Sequence, residues 1–244
     1  MNVLLVDVET APHLGYFWNL WHQDISLAQI KEPGYILCWA AKWLGPEHPM
    51  QWAGLDSETP LVMLTKIWNL LHEADLVFHF NGTSFDIPWL NAEFLRHCLP
   101  PYSPIKQLDL CTVSKKLLYL PSHKLEFLVD YFGIGQKMKH QGFPLWAACM
   151  DHDPKAWKAM REYNEKDVTL LESWYNRLQP WIPNHPHVRD STIELCPSCG
   201  SLDIGPRGVY RAKVAVYRRY SCRACGSWFR GNKMIAKHHT VGVS

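Results

Sequence analysis

Two short repeats near the C-terminal end constrain this chain more than anything else in it. Cys196-Pro-Ser-Cys199-Gly and Cys222-Arg-Ala-Cys225-Gly are separated by 22 residues. Each Cys-x-x-Cys makes a tight knuckle that aims two thiolates at one point. The glycine after each second cysteine permits the left-handed turn that such a knuckle needs. The other four cysteines, Cys38, Cys98, Cys111 and Cys149, are scattered singly, so a framework of four disulfides does not fit the placement. Between the knuckles, residues 208–221 are rich in β-branched and aromatic residues and alternate in part, which predicts a hairpin or pair of strands.

The two-knuckle arrangement resembles a zinc ribbon over about residues 194–232. That resemblance implies one structural Zn²⁺ held by Cys196, Cys199, Cys222 and Cys225. Four cysteines close the tetrahedron and leave no position for water, so the zinc is expected to staple a module too small to fold on its own core. Charge divides the chain at the same place. The formal net charge is +2, but residues 1–193 carry 16 Lys/Arg against 21 Asp/Glu, a net of −5, and residues 194–244 carry nine against two, a net of +7. A basic module on an acidic body indicates a polyanionic partner. Arg211, Lys213, Arg218, Arg219, Arg223 and Arg230, interleaved with Tyr210, Tyr217, Tyr220, Trp228 and Phe229, are the candidate nucleic-acid contacts. The rival for this module is a protein-docking ribbon.

The Pro-rich stretch 179–193 reads as a linker, giving a domain over 1–178, the linker, and the module with its tail over 194–244, His238 and His239 included. Mean hydropathy is −0.21 and charged residues make up 20%, an ordinary globular composition. No segment has the character of a membrane span or a secretory signal, so a cytoplasmic location is expected. Oligomeric state is not legible.

Within the acidic body, Val3-Leu-Leu-Val-Asp7-Val8 reads as a buried strand, and alternation places Asp7 and Glu9 on one of its faces. Two acids there are unfavourable unless a cation compensates them. A second apolar run, residues 76–80, leads through Asn81-Gly-Thr-Ser-Phe to Asp86, at a predicted strand-to-helix junction. Residues 156–175 have helical periodicity with a possible break near Tyr163, and in a helix Tyr163 and Asp167 share a face. Asp109 is a further acid on a short strand, expected to be structural or peripheral. Residues 122–134 carry a helix-start signal at Ser122 and a stop at Gly133. Most of the 12 tryptophans are expected in the core, with Trp18, Trp21 and Trp146 as weaker stacking candidates.

Asp7-Val-Glu9, Asn81-x-x-x-Phe-Asp86 and Tyr163-x-x-x-Asp167, in this order, resemble the three exonuclease motifs of the DnaQ-like 3′-to-5′ exonucleases, in their tyrosine-type subclass. The resemblance spans about residues 1–178. It implies an α/β fold, a ribonuclease H-like mixed sheet flanked by helices, beside the small β-rich ribbon. It also implies two Mg²⁺ or Mn²⁺ ions, Asp7 bridging both, Glu9 and Asp167 serving the ion that activates the attacking water, Asp86 serving the other, and Tyr163 orienting that water. Segments similar to residues 122–134 form a helix beside the active site in that family, which makes Lys124 or His123 a candidate contact to the substrate backbone; a solvated first turn is the alternative. The expected activity is metal-dependent release of nucleoside 5′-monophosphates from single-stranded DNA ends. RNA or duplex ends are alternative substrates, and a non-catalytic nucleic-acid or protein adapter is the rival from another class.

Overall fold

The structure, a computed structural model, describes residues 1–22, 24–138, 142–183, 185–186 and 194–237. Much of the expected linker, residues 184 and 187–193, and the tail pair His238-His239 lie outside the described residues. The chain divides into two compact units, Asn2–Trp174 and Tyr175–Ser244, the second also taking in Met1.

The first unit is built on a five-stranded sheet. Its strands are β1 (Val3–Thr10), β4 (Ile36–Trp43), β5 (Gln51–Gly54), β6 (Leu76–His79) and β7 (Lys106–Asp109), in the order β5-β4-β1-β6-β7. β4 is antiparallel to β1 and β5, while β6 runs parallel to β1 and β7. A separate two-stranded ribbon pairs β2 (Leu14–Gly15) with β3 (Ile30–Glu32). The helices are α1 (Pro60–Glu73), α2 (Asp86–Arg96), α3 (Leu110–Leu117), α4 (Leu125–Tyr131), α5 (Phe143–Met150) and α6 (Pro154–Leu178). The mixed sheet with flanking helices is the expected fold class.

Why β1 lies in the middle follows from its composition. A strand covered on both faces reads as a nearly continuous apolar run, and Val3 to Val6 are buried. Its even positions Leu4, Val6 and Val8 pack with Met63, Leu64 and Ile67 of α1 and Ile87, Leu90 and Phe94 of α2. Alternation turns Asp7 and Glu9 to the other face. There Asn164 of α6 bonds Asp7 and Trp146 of α5 bonds Glu9. α1 starts where Thr59 accepts a hydrogen bond from the Val62 N–H and Pro60 fills the first turn, a position that loses nothing by lacking an N–H. The possible break near Tyr163 does not occur: α6 runs unbroken through it, with Met160, Tyr163, Asn164, Asp167, Val168 and Leu171 buried at helical spacing. α4 begins at Leu125 rather than Ser122, whose hydroxyl instead accepts the Lys124 N–H. Gly133 ends it with φ +63°.

The second unit carries a three-stranded antiparallel sheet in the order β10-β9-β8, from β8 (Ile204–Arg211), β9 (Ala215–Cys222) and β10 (Trp228–Lys237). The strand pair expected between the knuckles is therefore extended by a third strand that follows the second knuckle.

His79, at the end of β6, is fully buried; its Nδ1 accepts the Gly82 N–H at 3.1 Å and its Nε2 meets Gln107 Oε1 at 3.2 Å. Burial holds its pKa below the ordinary value, although Asp109 pulls the other way. The unfolded chain therefore binds a proton that the folded chain refuses. His79 contributes stability above about pH 6.5, and that contribution is lost as pH falls below it. A His79→Asn variant, which keeps an acceptor for Gly82, is expected to show a shallower fall of urea midpoint between neutral pH and pH about 5 than the parent chain.

Candidate active site and metal centres

The acids meet because the C-terminal half of β1, the start of α2 and the middle of α6 lie beside one another. Asp7 and Glu9 come from β1, and Asp167 comes from α6. Ligand oxygens of these three lie within 4.8 Å of one another, a grouping that could hold a metal ion. Asp86 stands outside that group. It opens α2, is 3% exposed, and its Oδ1 accepts the Val8 N–H at 3.0 Å, which ties it to the backbone between Asp7 and Glu9. The connection 81–85 that delivers it is pinned from below: Asp109 caps α3 through the Cys111 and Thr112 N–H groups and also accepts those of Asn81 and Thr83. Asp109 is thus an anchor for the loop and not a member of the cluster. Gly82 has no room for a side chain, since a Cβ there would lie 2.4 Å from His79 Cγ and 2.8 Å from Asp86 Oδ2.

Burial and like charge act together on these groups. The Asp7 carboxyl is held well above the usual carboxylate range, first by burial and then by Asp86, Glu9 and Asp167. Burial, reinforced by Asp167, pushes Glu9 up to about 8. Burial also raises Asp86, to about 7, against the opposing hydrogen bond from Val8. A bound cation would favour the ionised carboxylates and so oppose these upward shifts. All the donors are carboxylate oxygens, which suit Mg²⁺ or Mn²⁺ and do not suit the softer metals.

Three side chains complete the cluster without any signal in the acid motifs. Asn164, 0% exposed, donates from Nδ2 to Asp7 Oδ2 at 2.7 Å and to the Asp7 carbonyl at 3.3 Å. The Trp146 indole donates to Glu9 Oε2 at 3.1 Å and packs edge-on against Tyr163. Trp146 is therefore a prop for the site, whereas Trp18 and Trp21 stand exposed. Lys137 ion-pairs with Asp167, donates to the Tyr163 hydroxyl at 3.3 Å and lies over the Tyr163 ring. Tyr163 itself is buried, and its phenol is raised by burial and by Asp167. A cleft of about 560 Å³ opens over this cluster, bordered by Asp7, Lys124, Lys137, Tyr163 and Asp167. Lys124 thus lines the cleft. His123 instead meets the Leu118 carbonyl through Nε2.

In the second unit, the sulfur atoms of Cys196, Cys199, Cys222 and Cys225 gather within 4.8 Å. The pairs Cys196–Cys225 and Cys199–Cys222 are 3.7 and 3.6 Å apart. A tetrahedron with Zn–S bonds of about 2.3 Å has edges of about 3.8 Å, so the spacing fits zinc. The knuckles repeat each other's bonding: the Gly200 and Gly226 N–H groups return to the Cys196 and Cys222 carbonyls, with φ +74° and +80° at the glycines. Sheet register splits the candidate basic contacts. Arg219 and Arg230 share a face; Arg211 and Arg218 lie on the opposite one. Lys213 sits in the β8–β9 connection, and Arg223 is paired with Asp203 at 2.8 Å.

Residues 46–179 match the family model described as RNase_H superfamily, and the chain belongs to the RNase H superfamily. The matched residues include Asp86, Tyr163 and Asp167, while β1, with Asp7 and Glu9, precedes them. Among solved structures, the family B DNA polymerase from the hyperthermophilic archaeon Pyrobaculum calidifontis is similar in fold, with a TM-score of 0.54 and 15% identity. The similarity covers 74% of this chain and 25% of the polymerase chain, so this chain corresponds to only a part of that protein. No match is found among curated proteins.

Replacing Cys222 by Ser is expected to reduce bound zinc, measured by atomic absorption after gel filtration, from about one per chain to well below it, and to lower the thermal midpoint.

Proposed function

We propose that the chain is a metal-dependent 3′-to-5′ exonuclease of the DnaQ-like, tyrosine-type group, acting on single-stranded DNA ends and releasing nucleoside 5′-monophosphates. The carrying observation is the convergence of Asp7, Glu9 and Asp167, with Asp86 bonded to the Val8 N–H between the first two. RNase H superfamily membership suggests a nuclease, and the fold resemblance to a polymerase is compatible with one. Domain limits of 1–178, 179–193 and 194–244 are part of this reading, as is a zinc ribbon in the last of them. RNA is the alternative substrate, because among the described residues of the cleft none identifies a sensor for a 2′-hydroxyl. The adapter reading is disfavoured, since a binding scaffold has no use for a buried cluster of like charges.

Asp7, Glu9, Asp86 and Asp167 would hold two divalent ions, Mg²⁺ or Mn²⁺, Asp7 contributing to both, Glu9 and Asp167 to one and Asp86 to the other. Bound there, the ions would supply a more acidic water and charge stabilisation for the attacking and leaving oxygens. The Tyr163 hydroxyl orients the attacking water and is itself held by Lys137 and packed by Trp146. Asn164 fixes the Asp7 carboxylate through one of its oxygens. Lys124 receives a phosphate of the incoming strand.

The test is end-labelled single-stranded DNA, duplex DNA and RNA incubated with Mg²⁺, Mn²⁺ or chelator, with products resolved by length. A ladder shortening from the 3′ end is expected for single-stranded DNA, and binding without cleavage under every metal condition would overturn the reading. Asp7→Ala and Asp167→Ala are each expected to lower the rate by more than about a hundredfold, and Tyr163→Phe by about ten- to a hundredfold with metal binding retained. Lys137→Met is expected to lower the maximal rate by about tenfold while lowering the Mg²⁺ concentration needed for half-maximal rate, because a competing cation is removed from Asp167.

A further inference from the structure

The sheet of the second unit presents two unlike faces. Tyr210 is paired with Tyr217, and Arg219 with Arg230. With the two-residue alternation of a strand, Tyr210, Tyr217, Arg219, Trp228 and Arg230 all fall on one face. They alternate in kind as well as position. The Arg219 guanidinium lies 5.3 Å from the Trp228 ring centre, and that of Arg230 lies 4.3 Å from Tyr217 and 5.6 Å from Tyr210. Neither arginine has an acidic partner among the described residues; Arg219 donates from Nε to the Arg207 carbonyl. By contrast, Arg223 is neutralised by Asp203.

The rings on this face are not needed to close the module's own core. Trp228 is 58% and Tyr210 47% exposed, and the knuckles supply the cross-link. A cavity of about 440 Å³ adjoins the face, bordered by Tyr210, Arg219, Trp228 and Arg230 together with His185 and Ser198. Its size is that of a small-molecule pocket, with flat aromatic walls and two cations. Such a surface is matched by a ligand that offers flat faces and negative charge in alternation. A single-stranded nucleic acid does so; a duplex hides its base faces in the stack, and an acidic peptide gives the rings nothing to stack on. The net +7 of residues 194–244 agrees in sign with that partner.

We propose that this face is a binding site for unpaired nucleotides, with bases stacking on Trp228, Tyr210 and Tyr217, one of them seated in the cavity, and phosphates on Arg219 and Arg230. The inference rests on the nuclease reading only for the kind of polymer involved.

The experiment measures binding without cleavage. The zinc-loaded full chain carrying Asp7→Asn is titrated, with no added divalent ion, against fluorescein-labelled oligothymidylate, followed by anisotropy at several salt concentrations. Trp228→Ala is expected to weaken binding about tenfold, and Trp228→Phe to retain most of it. The double variant Arg219→Gln/Arg230→Gln is expected to weaken binding and to flatten the slope of log affinity against log salt by about 1.4. Arg211→Gln/Arg218→Gln removes the same charge from the opposite face and is expected to weaken binding clearly less. Zinc content reports whether each variant is folded; should Trp228→Ala lose zinc, the two arginine pairs decide. Equal losses from the two pairs, or a duplex bound as tightly as the single strand, would overturn the site. Cleavage of a short oligonucleotide by Arg219→Gln/Arg230→Gln with Asp7 intact is measured separately, so a failed binding face leaves the catalytic reading standing and a failed nuclease leaves the binding face standing.

Discussion

Repulsion among carboxylates gathered at a partly buried site is the constraint to which the rest of the first unit answers. Like charges a few ångströms apart, away from water, are among the least favourable arrangements a fold can make. Here several elements share in relieving it. α6 brings Asn164 to donate to Asp7, α5 brings Trp146 to donate to Glu9, and Lys137 is set against Asp167. The hydrophobic layer between β1 and the helices α1 and α2 supplies the rigidity that keeps those groups from moving apart.

The two units collect ligand atoms in opposite styles. The oxygen cluster borders an open cleft and mixes carboxylates with neutral donors. The sulfur cluster has four like ligands at tetrahedral spacing, with no position left for a substrate. These choices also correct the formal charges. Cations held by the acids would make the −5 body less negative, and four thiolates with one Zn²⁺ would bring the +7 module nearer to +5. The contrast in sign survives both corrections.

Much of the fold is legible in the sequence because the relevant signals are local. The apolar run at Val3–Val8, the helical spacing around Met160 and Asp167, and the glycines after each knuckle each specify their own geometry. The positions of Asp7 and Glu9 follow from strand alternation, that of Asp86 from an element junction and that of Asp167 from helical spacing. Lys137 is not legible, since it lies in a connection without periodicity, and only the tertiary fold brings it to α6. Asn164 leaves a faint trace: an amide on the buried stripe of a helix, three residues before Asp167, requires a partner. The start of α4 departs from the expected one because Ser122 bonds the backbone two residues on, a local turn that competes with a helix cap.

The bond from the Val8 N–H to Asp86 has a consequence for how the cluster communicates. That amide belongs to the peptide plane between Asp7 and Val8, so the carboxylate on α2 and the central strand share one hydrogen atom. One Asp86 oxygen is committed to the Val8 N–H. A cation drawing charge from Asp86 would weaken its hold on that hydrogen, and the Val8 amide resonance would register occupancy from inside the sheet, with no label placed in the cleft.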